Sequence, residues 1–540
     1  MGRTLSRRDF LSAAATTAAA TSLTRCATVR EAAVPAPDRP NVLFIMTDQQ
    51  RFDTIAALGN ENIYTPNMDR LVRRGVTFLN GYSTCPVCVA ARYTIRTGCF
   101  EPTTTIYGNA RPDPVPGQAA DMEKRCGLYL ARTMSRLGYR TFGIGKFHTM
   151  PWDEDIGYEV HLHSGEMYGS PEHRARDDYA SFIANEYPEY DFIEALMGER
   201  TEMYYMPQMS PLPAALGVEA WAADRAVEQI GVRDKRPYFG FVSFIGPHPP
   251  LAPPIPFNRM YDPDRMPNPV RGDLALDHMD EQVTWMNYAI WAEEINDPHA
   301  RVLRARYYGE LSYIDQCLGR ILDAVEARPD ADNTVICFFS DHGDHLGDHN
   351  AWQKESYFEA ACHVPFLVSW PARLQQDARR EELVCLADLF GIATGAAGAI
   401  DAREGIDVLG MLDGSASPRE YLIGLYGNPA TPLFKVMVRR GPWKYIYMAN
   451  GGREQLFNVA EDPHELTQRL NDAPEVAREL RAIAEASLAR PNVDRALENG
   501  RLRAYPFAQR PRERIYQFDG SRGVRGFPEH PADVLSGSRL

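Results

Sequence analysis

Four apolar runs, at residues 41–46, 140–144, 238–245 and 334–339, each lead directly into reactive side chains. The first, Asn41-Val42-Leu43-Phe44-Ile45-Met46, is continuously apolar after its first residue. That is the pattern of a strand buried on both faces. Helical signals lie between the runs. Thr65 reads as an N-cap with Pro66 in the first turn, and Gly75 ends that helix. Leu303, Tyr307, Leu311, Ile314, Leu318 and Leu322 recur at helical spacing. The alternation predicts an α/β fold, a large mostly parallel or mixed sheet flanked by helices. Ligands of such sheets sit beyond the carboxyl ends of the strands. There the four runs deliver Asp48-Gln49, Lys146-Phe147-His148, His248 and Asp341-His342-Gly343-Asp344. Taken singly, Asp48 could cap a helix, His148 could be a surface imidazole, and His248 between prolines could end a strand. Four such endings together make a constellation. His345, Asp348 and His349 read as structural or supporting residues.

A fifth segment joins it. In Cys88-Val89-Ala90-Ala91-Arg92 the sulfur and the guanidinium are four residues apart, on one face of a helix. The start of that helix also favours anions, because its first N–H groups point outward. Asp48, Gln49 and Asp341 offer hard oxygen donors that suit calcium or magnesium, and His342 adds a nitrogen. The residue types therefore suit an anionic ester.

The Cys88-x-Ala90-x-Arg92 signature resembles that of the type I sulfatases of the alkaline phosphatase superfamily, in which the cysteine is oxidised to formylglycine. Cys85 lacks an arginine at the same offset, since Val89 stands there. The resemblance extends over most of the chain, to Leu456-Phe457-Asn458 and Asp462-Pro463. It implies one divalent metal, calcium first and magnesium or manganese as alternatives, held by Asp48, Gln49, residue 88, Asp341 and His342. It implies Arg92, Lys146, His148, His248 and Lys354 as catalytic partners of residue 88. Glutamine stands at 49 where the family has aspartate, and histidine at 342 where asparagine is commoner. Ala90 replaces the usual proline, and Phe147 a tryptophan. The implied reaction is hydrolysis of a sulfate ester. A hydroxyl of the hydrated formylglycine, activated by the metal, attacks sulfur. His248 with Lys354 serves the leaving oxygen, and His148 takes the proton of the second hydroxyl. Lys146 and Arg92 stabilise charge.

The implied partners are a sulfated small molecule or glycan and a formylglycine-generating or anaerobic sulfatase-maturating enzyme. Three rival readings stand beside this one, and the redox reading leaves Arg92, Lys146, His248 and Asp341 without a role. One is a phosphonate monoester or phosphodiester hydrolase with the same nucleophile. Another is a thiol redox protein built on Cys85-Pro86-Val87-Cys88. The third is a non-catalytic binding protein descended from a sulfatase.

The ends of the chain carry other signals. Ser6-Arg7-Arg8-Asp9-Phe10-Leu11 before an Ala/Thr-rich run predicts a twin-arginine export signal over residues 1–38, the twin-arginine translocase as partner, and a periplasmic or secreted location. That run is too short and weak for a stable membrane span. Arg25 immediately before Cys26 argues against lipidation there. A net charge of −14 argues against nucleic acid as a partner. Nine widely spread cysteines do not form a small disulfide framework. Gly, Ser and Pro near 413–419 place a boundary between a catalytic domain, 39–415, and a C-terminal subdomain with an extended tail, 416–540. Short strands at 421–425, 434–438 and 443–447, with a turn at Arg440-Gly441-Pro442, and a helix at 473–488 predict an α+β unit on a small antiparallel sheet. The loops expected to choose the substrate are 167–209 and 258–300, rich in Tyr, Trp, Asp and Glu.

Overall fold

The computed structural model describes residues 39–109, 118–165, 171–191, 205–290 and 292–513. The predicted export signal, and parts of the first substrate loop, lie outside the described residues.

All four apolar runs are strands: β1 (Asn41–Thr47), β3 (Arg140–Gly145), β5 (Tyr238–Ser243) and β6 (Thr334–Ser340). With β2 (Val76–Tyr82), β4 (Val160–His163), β7 (Phe366–Ser369) and β8 (Ala378–Cys385) they form one sheet in the order β4-β3-β5-β1-β6-β7-β2-β8. β1 pairs in parallel with both β5 and β6, and β3 with β5. The carboxyl ends of the four central strands therefore share one edge. β7 is antiparallel to both of its neighbours, so the sheet is mixed.

β1 shows why the run has no polar alternation. Val42, Phe44 and Met46 enter the core on one face of the sheet, and Leu43 and Ile45 the core on the other. Phe44 meets Phe239, Phe241 and Phe339 edge-on, at ring separations of 5.4–6.0 Å. The other face is covered by the long helix Asp297–Glu326, whose predicted apolar positions Leu303, Tyr307, Leu311, Ile314, Leu318 and Leu322 are all buried.

The helix after β1 runs Pro66–Arg74, but Thr65 does not cap it through its side chain. Asp315 of the long helix accepts from the N–H groups of Asn67 and Met68, at 3.1 and 2.7 Å. The Thr65 hydroxyl instead accepts from Ala56 N–H at 2.9 Å. A carboxylate from another element has replaced the local cap, still satisfying the open N–H groups.

A four-stranded antiparallel sheet comes next in the chain: β9 (Leu422–Tyr426), β10 (Lys435–Arg440), β11 (Trp443–Met448) and β12 (Arg453–Asn458), in the order β12-β11-β10-β9. Gly441, at φ 52°, makes the predicted turn between β10 and β11. The helix Pro474–Leu488 packs its Ala477, Leu480, Ala484 and Leu488 into this sheet's own core. The tail then returns to the larger part of the molecule. Arg510 stacks on Trp285 at 3.6 Å, and its N–H donates to Glu281 at 2.7 Å.

One glycine at the strand edge is required by space. Gly145 has φ 105°, and a Cβ there would lie 1.9 Å from the Ser243 carbonyl oxygen. Gly145→Ala is expected to cost roughly 2–4 kcal/mol, from left-handed strain plus the clash. A thermal midpoint equal to that of the parent protein would contradict this.

Candidate active site

The four strand ends and the Cys88 helix converge. The helix runs Cys88–Thr97 and stops at Gly98, which is left-handed at φ 67°. Cys88 is therefore in its first turn, and Arg92 is one turn further on the same face. The Arg92 guanidinium bridges two strand ends. Its Nε donates to Asp341 Oδ2 at 2.9 Å and its Nη2 to Asp48 Oδ2 at 2.8 Å. Its Nη1 donates to Ser243 Oγ at 2.9 Å. Lys146 Nζ reaches the same Asp48 Oδ2 at 2.6 Å.

Both carboxylates thus turn Oδ2 toward fixed cations and Oδ1 toward a common centre. Asp48 Oδ1 lies 3.8 Å from Cys88 Sγ and 3.8 Å from His342 Nε2. Asp341 Oδ1 lies 3.6 Å from His342 Nε2, and Cys88 Sγ lies 3.1 Å from the same nitrogen. One donor atom from each of Asp48, Cys88, Asp341 and His342 falls within 4.8 Å of all the others. His342 Nδ1 donates to the Gly343 carbonyl at 3.0 Å, which in the neutral ring leaves the Nε2 lone pair facing the centre.

Gln49 completes this wall in a strained backbone, at φ 70°. Its N–H donates to Asp341 Oδ1 at 3.1 Å. Its side-chain oxygen accepts from Lys354 Nζ at 2.6 Å, and its side-chain nitrogen donates to Asp344. An amide oxygen has two lone pairs, so one remains for a metal. Two carboxylate oxygens, an amide oxygen and an imidazole nitrogen in a buried pocket fit a divalent cation.

The electrostatics favour negative charge at the centre. Burial raises the Asp48 carboxyl, but Lys146, His248, Arg92 and His342 outweigh it and hold the group well below the usual carboxylate range. Burial and then Asp48 raise the Cys88 thiol, yet Lys354, Lys146 and His342 bring it below its ordinary value. Cys85, three residues earlier, is in the opposite surroundings. Burial, with Glu101 and Glu355, pushes its thiol well up. The two cysteines of the C-x-x-C segment are thus electrostatically unlike, and the anion-stabilising pocket belongs to Cys88.

His248 is buried after β5, with Nδ1 2.8 Å from the Pro249 carbonyl. Its charge also favours the ionised Asp48. His148 follows Lys146 in left-handed backbone, φ 54°, and is half-buried. His345, Asp348 and His349 face elsewhere: His345 bonds Ser356 at 2.7 Å, Asp348 pairs with Arg51 at 2.8 Å and His349 with Asp277 at 2.8 Å.

Sequence reasoning did not single out Ser243, Asp344 or Tyr205. Ser243 is the one serine of a strand otherwise made of aromatic, glycine and valine residues, and it orients Arg92. Asp344 sits in the acidic turn already recognised. It holds Gln49 in place and accepts from the Tyr205 hydroxyl at 2.9 Å.

A family model described as Sulfatase matches residues 40–399. The chain belongs to the sulfatase family. This sulfatase is 28% identical over 450 residues to an arylsulfatase of Clostridium perfringens, covering 80% of this chain and 90% of that protein. It is 26% identical over 457 residues to a choline-sulfatase of Rhizobium meliloti, covering 79% and 82%. Among solved structures, a phosphonate monoester hydrolase of Agrobacterium radiobacter matches with a TM-score of 0.67 at 23% identity, over 84% of this chain and 95% of that one. A 2-O GAG sulfatase matches with a TM-score of 0.65 at 20% identity, over 90% and 99%. These neighbours share the alkaline phosphatase-like fold, with its large mixed sheet and separate small antiparallel sheet. The sulfatase is a hydrolase, and the family's general features, a divalent metal and a formylglycine, correspond to the buried cluster around Cys88.

Proposed function

We propose that this sulfatase releases inorganic sulfate from a sulfated carbohydrate, with residue 88 as nucleophile once Cys88 has been oxidised to formylglycine. The supporting observation is the shared orientation of Asp48 and Asp341: Oδ2 on Arg92 or Lys146, Oδ1 toward Cys88 and His342. Asp48, Asp341, His342, Gln49 and residue 88 would hold the metal, calcium first and magnesium or manganese as alternatives. The metal would neutralise the sulfate oxygens and favour an anionic oxygen nucleophile.

The chain's own groups do the rest. Arg92 and Lys146 fix the rotamers of the two carboxylates and carry positive charge beside residue 88. Lys354 sets Gln49 and adds a third cation. His248 donates Nδ1–H to Pro249, so it passes a proton from Nε2 to the leaving oxygen as the imidazolium, in which both ring nitrogens carry hydrogen. His148, at the end of β3, is the base that takes the proton of the second hydroxyl.

Carbohydrate as substrate is supported by relatives. One, in Formosa agariphila, is an ulvan-active sulfatase. One solved neighbour is bound to D-glucosamine-2-N,6-O-disulfate. The segment Ser6-Arg7-Arg8-Asp9-Phe10-Leu11 supports export through the twin-arginine translocase to the periplasm or beyond. A cysteine-oxidising maturase would then act before export. Among the described residues no helix is long and apolar enough to cross a membrane.

A second reading, phosphonate monoester or phosphodiester hydrolysis, is favoured by one observation. Gln49 and His342 make the site less anionic than paired aspartates would. The test is the kcat/KM ratio between an aryl sulfate and an aryl phosphonate monoester with the same leaving group. A ratio of about 100 or more for sulfate is expected. A ratio below one would transfer the assignment to the phosphonate ester.

A further inference from the structure

Eight of the nine cysteines lie among the described residues, and all eight are buried. Two of them meet at the far end of the helix that begins with Cys88. Cys99 follows its C-terminal Gly98, and Cys126 ends the helix Gln118–Cys126. Cys99 Sγ lies 3.8 Å from the Cys126 carbonyl oxygen, and each thiol shifts the titration of the other. We propose that Cys99 and Cys126 are a disulfide site that locks the C-terminal end of the Cys88 helix to its neighbour.

The backbone on both sides is already held together. Arg403 Nη1 donates to the Thr97 carbonyl at 2.9 Å and also to that of Cys126, and its Nη2 donates to Leu128 O at 2.9 Å. Gly127, at φ 81°, leaves room for this guanidinium, and Gly98, at φ 67°, for the stem of the same side chain: a Cβ at either would approach Arg403 to 3.0 Å. One cation thus clamps the two segments that carry the thiols. A bridge would form across a junction the fold has already closed.

The partners are unequal. Cys126, and then burial, push the Cys99 thiol up, whereas Cys99 outweighs burial at Cys126 and brings that thiol below its ordinary value. Cys126 is therefore the first thiolate. It attacks a sulfur of an external disulfide, forming a mixed disulfide and expelling one thiolate. Cys99, losing its proton to solvent, then attacks Cys126 Sγ and expels the second thiolate. Two protein thiols become one bridge, and the oxidant disulfide is reduced to two thiols. Arg125 and Arg403 both favour the Cys126 thiolate, while Glu404 opposes it.

The experiment uses the purified full chain, so it does not depend on the export reading. The protein is incubated with oxidised glutathione until the free-thiol count is constant, then alkylated in denaturant and digested with trypsin. The expected product is a reducible cross-link between the peptides 97–124 and 126–132. In parallel, dithiothreitol should lower the thermal midpoint of the oxidised protein by several degrees, and should leave Cys99→Ser unchanged. Recovery of both peptides separately alkylated or glutathionylated would overturn the proposal. So would a cross-link joining either cysteine to a different partner.

Discussion

Cys88→Ala lowers kcat/KM for a sulfate ester by about 10⁴-fold or more, while the fold and thermal midpoint stay close to those of the parent. The size of the loss comes from the pocket. Lys354, Lys146 and His342 together overcome burial and Asp48 to favour an anion at this one side chain. Without a nucleophile at 88, those cations still bind an anionic ester but have nothing to deliver to it. The small effect on stability comes from the contacts: Sγ touches Asp48 and His342 and supports no packing layer of its own. Cys85→Ala is the control. Its thiol lies among Glu101 and Glu355, outside the cationic pocket, so turnover should change by no more than a few-fold. Sulfate ester turnover retained by Cys88→Ala would remove residue 88 from the chemistry.

The second large effect is at Asp48. Asp48→Ala should abolish stoichiometric metal, read by elemental analysis, and cost roughly 3–5 kcal/mol of stability in the metal-free protein. Lys146 and Arg92 are 2% and 3% exposed, and both place a charged nitrogen on Asp48 Oδ2. Removing the carboxylate leaves two buried cations with Asp341 as the remaining anion beside them. The pH dependence is set by the lowered carboxyl. The stabilisation from this pairing is complete above the ordinary aspartate pKa of about 3.9. It is lost as the pH falls through the lower folded value. The metal-free parent should therefore lose stability on acidification below about pH 4 by an amount that Asp48→Ala does not show. Parallel acid-unfolding curves for the two proteins, or full metal content in the variant, would contradict this account.

The parts of the site that were legible were those with short-range causes. A fully apolar run has few homes other than a strand covered on both faces, and the residues just beyond its carboxyl end must sit at the sheet edge. Asp48, Lys146, His248 and Asp341 were found in this way. Cys88 and Arg92 were found by their four-residue spacing together with the resemblance of the signature to that of the sulfatases, and the helix Cys88–Thr97 carries them on one face. What could not be read depends on residues far apart in the chain. The cap of the helix Pro66–Arg74 comes from Asp315, about 250 residues away, so Thr65 was the natural local reading. Ser243 points at Arg92 because β5 lies between β3 and β1, and strand order is not written in any one strand. Asp344 supports Gln49 because β6 lies beside β1. The opposite electrostatics of Cys85 and Cys88, which separate a nucleophile from its neighbour, come from Glu101, Lys146 and the adjacent pair Lys354 and Glu355, on three different segments.

The central claim is that residue 88 is a converted cysteine. The most direct measurement is fragment mass spectrometry of the tryptic peptide 75–92 from protein made in its native host, with fragments that resolve position 88 from Cys85. The account predicts an aldehyde at 88, reactive toward a hydrazide, and an unmodified thiol at 85. An intact thiol at 88 in protein that turns over sulfate esters, or a disulfide between 85 and 88, would contradict it.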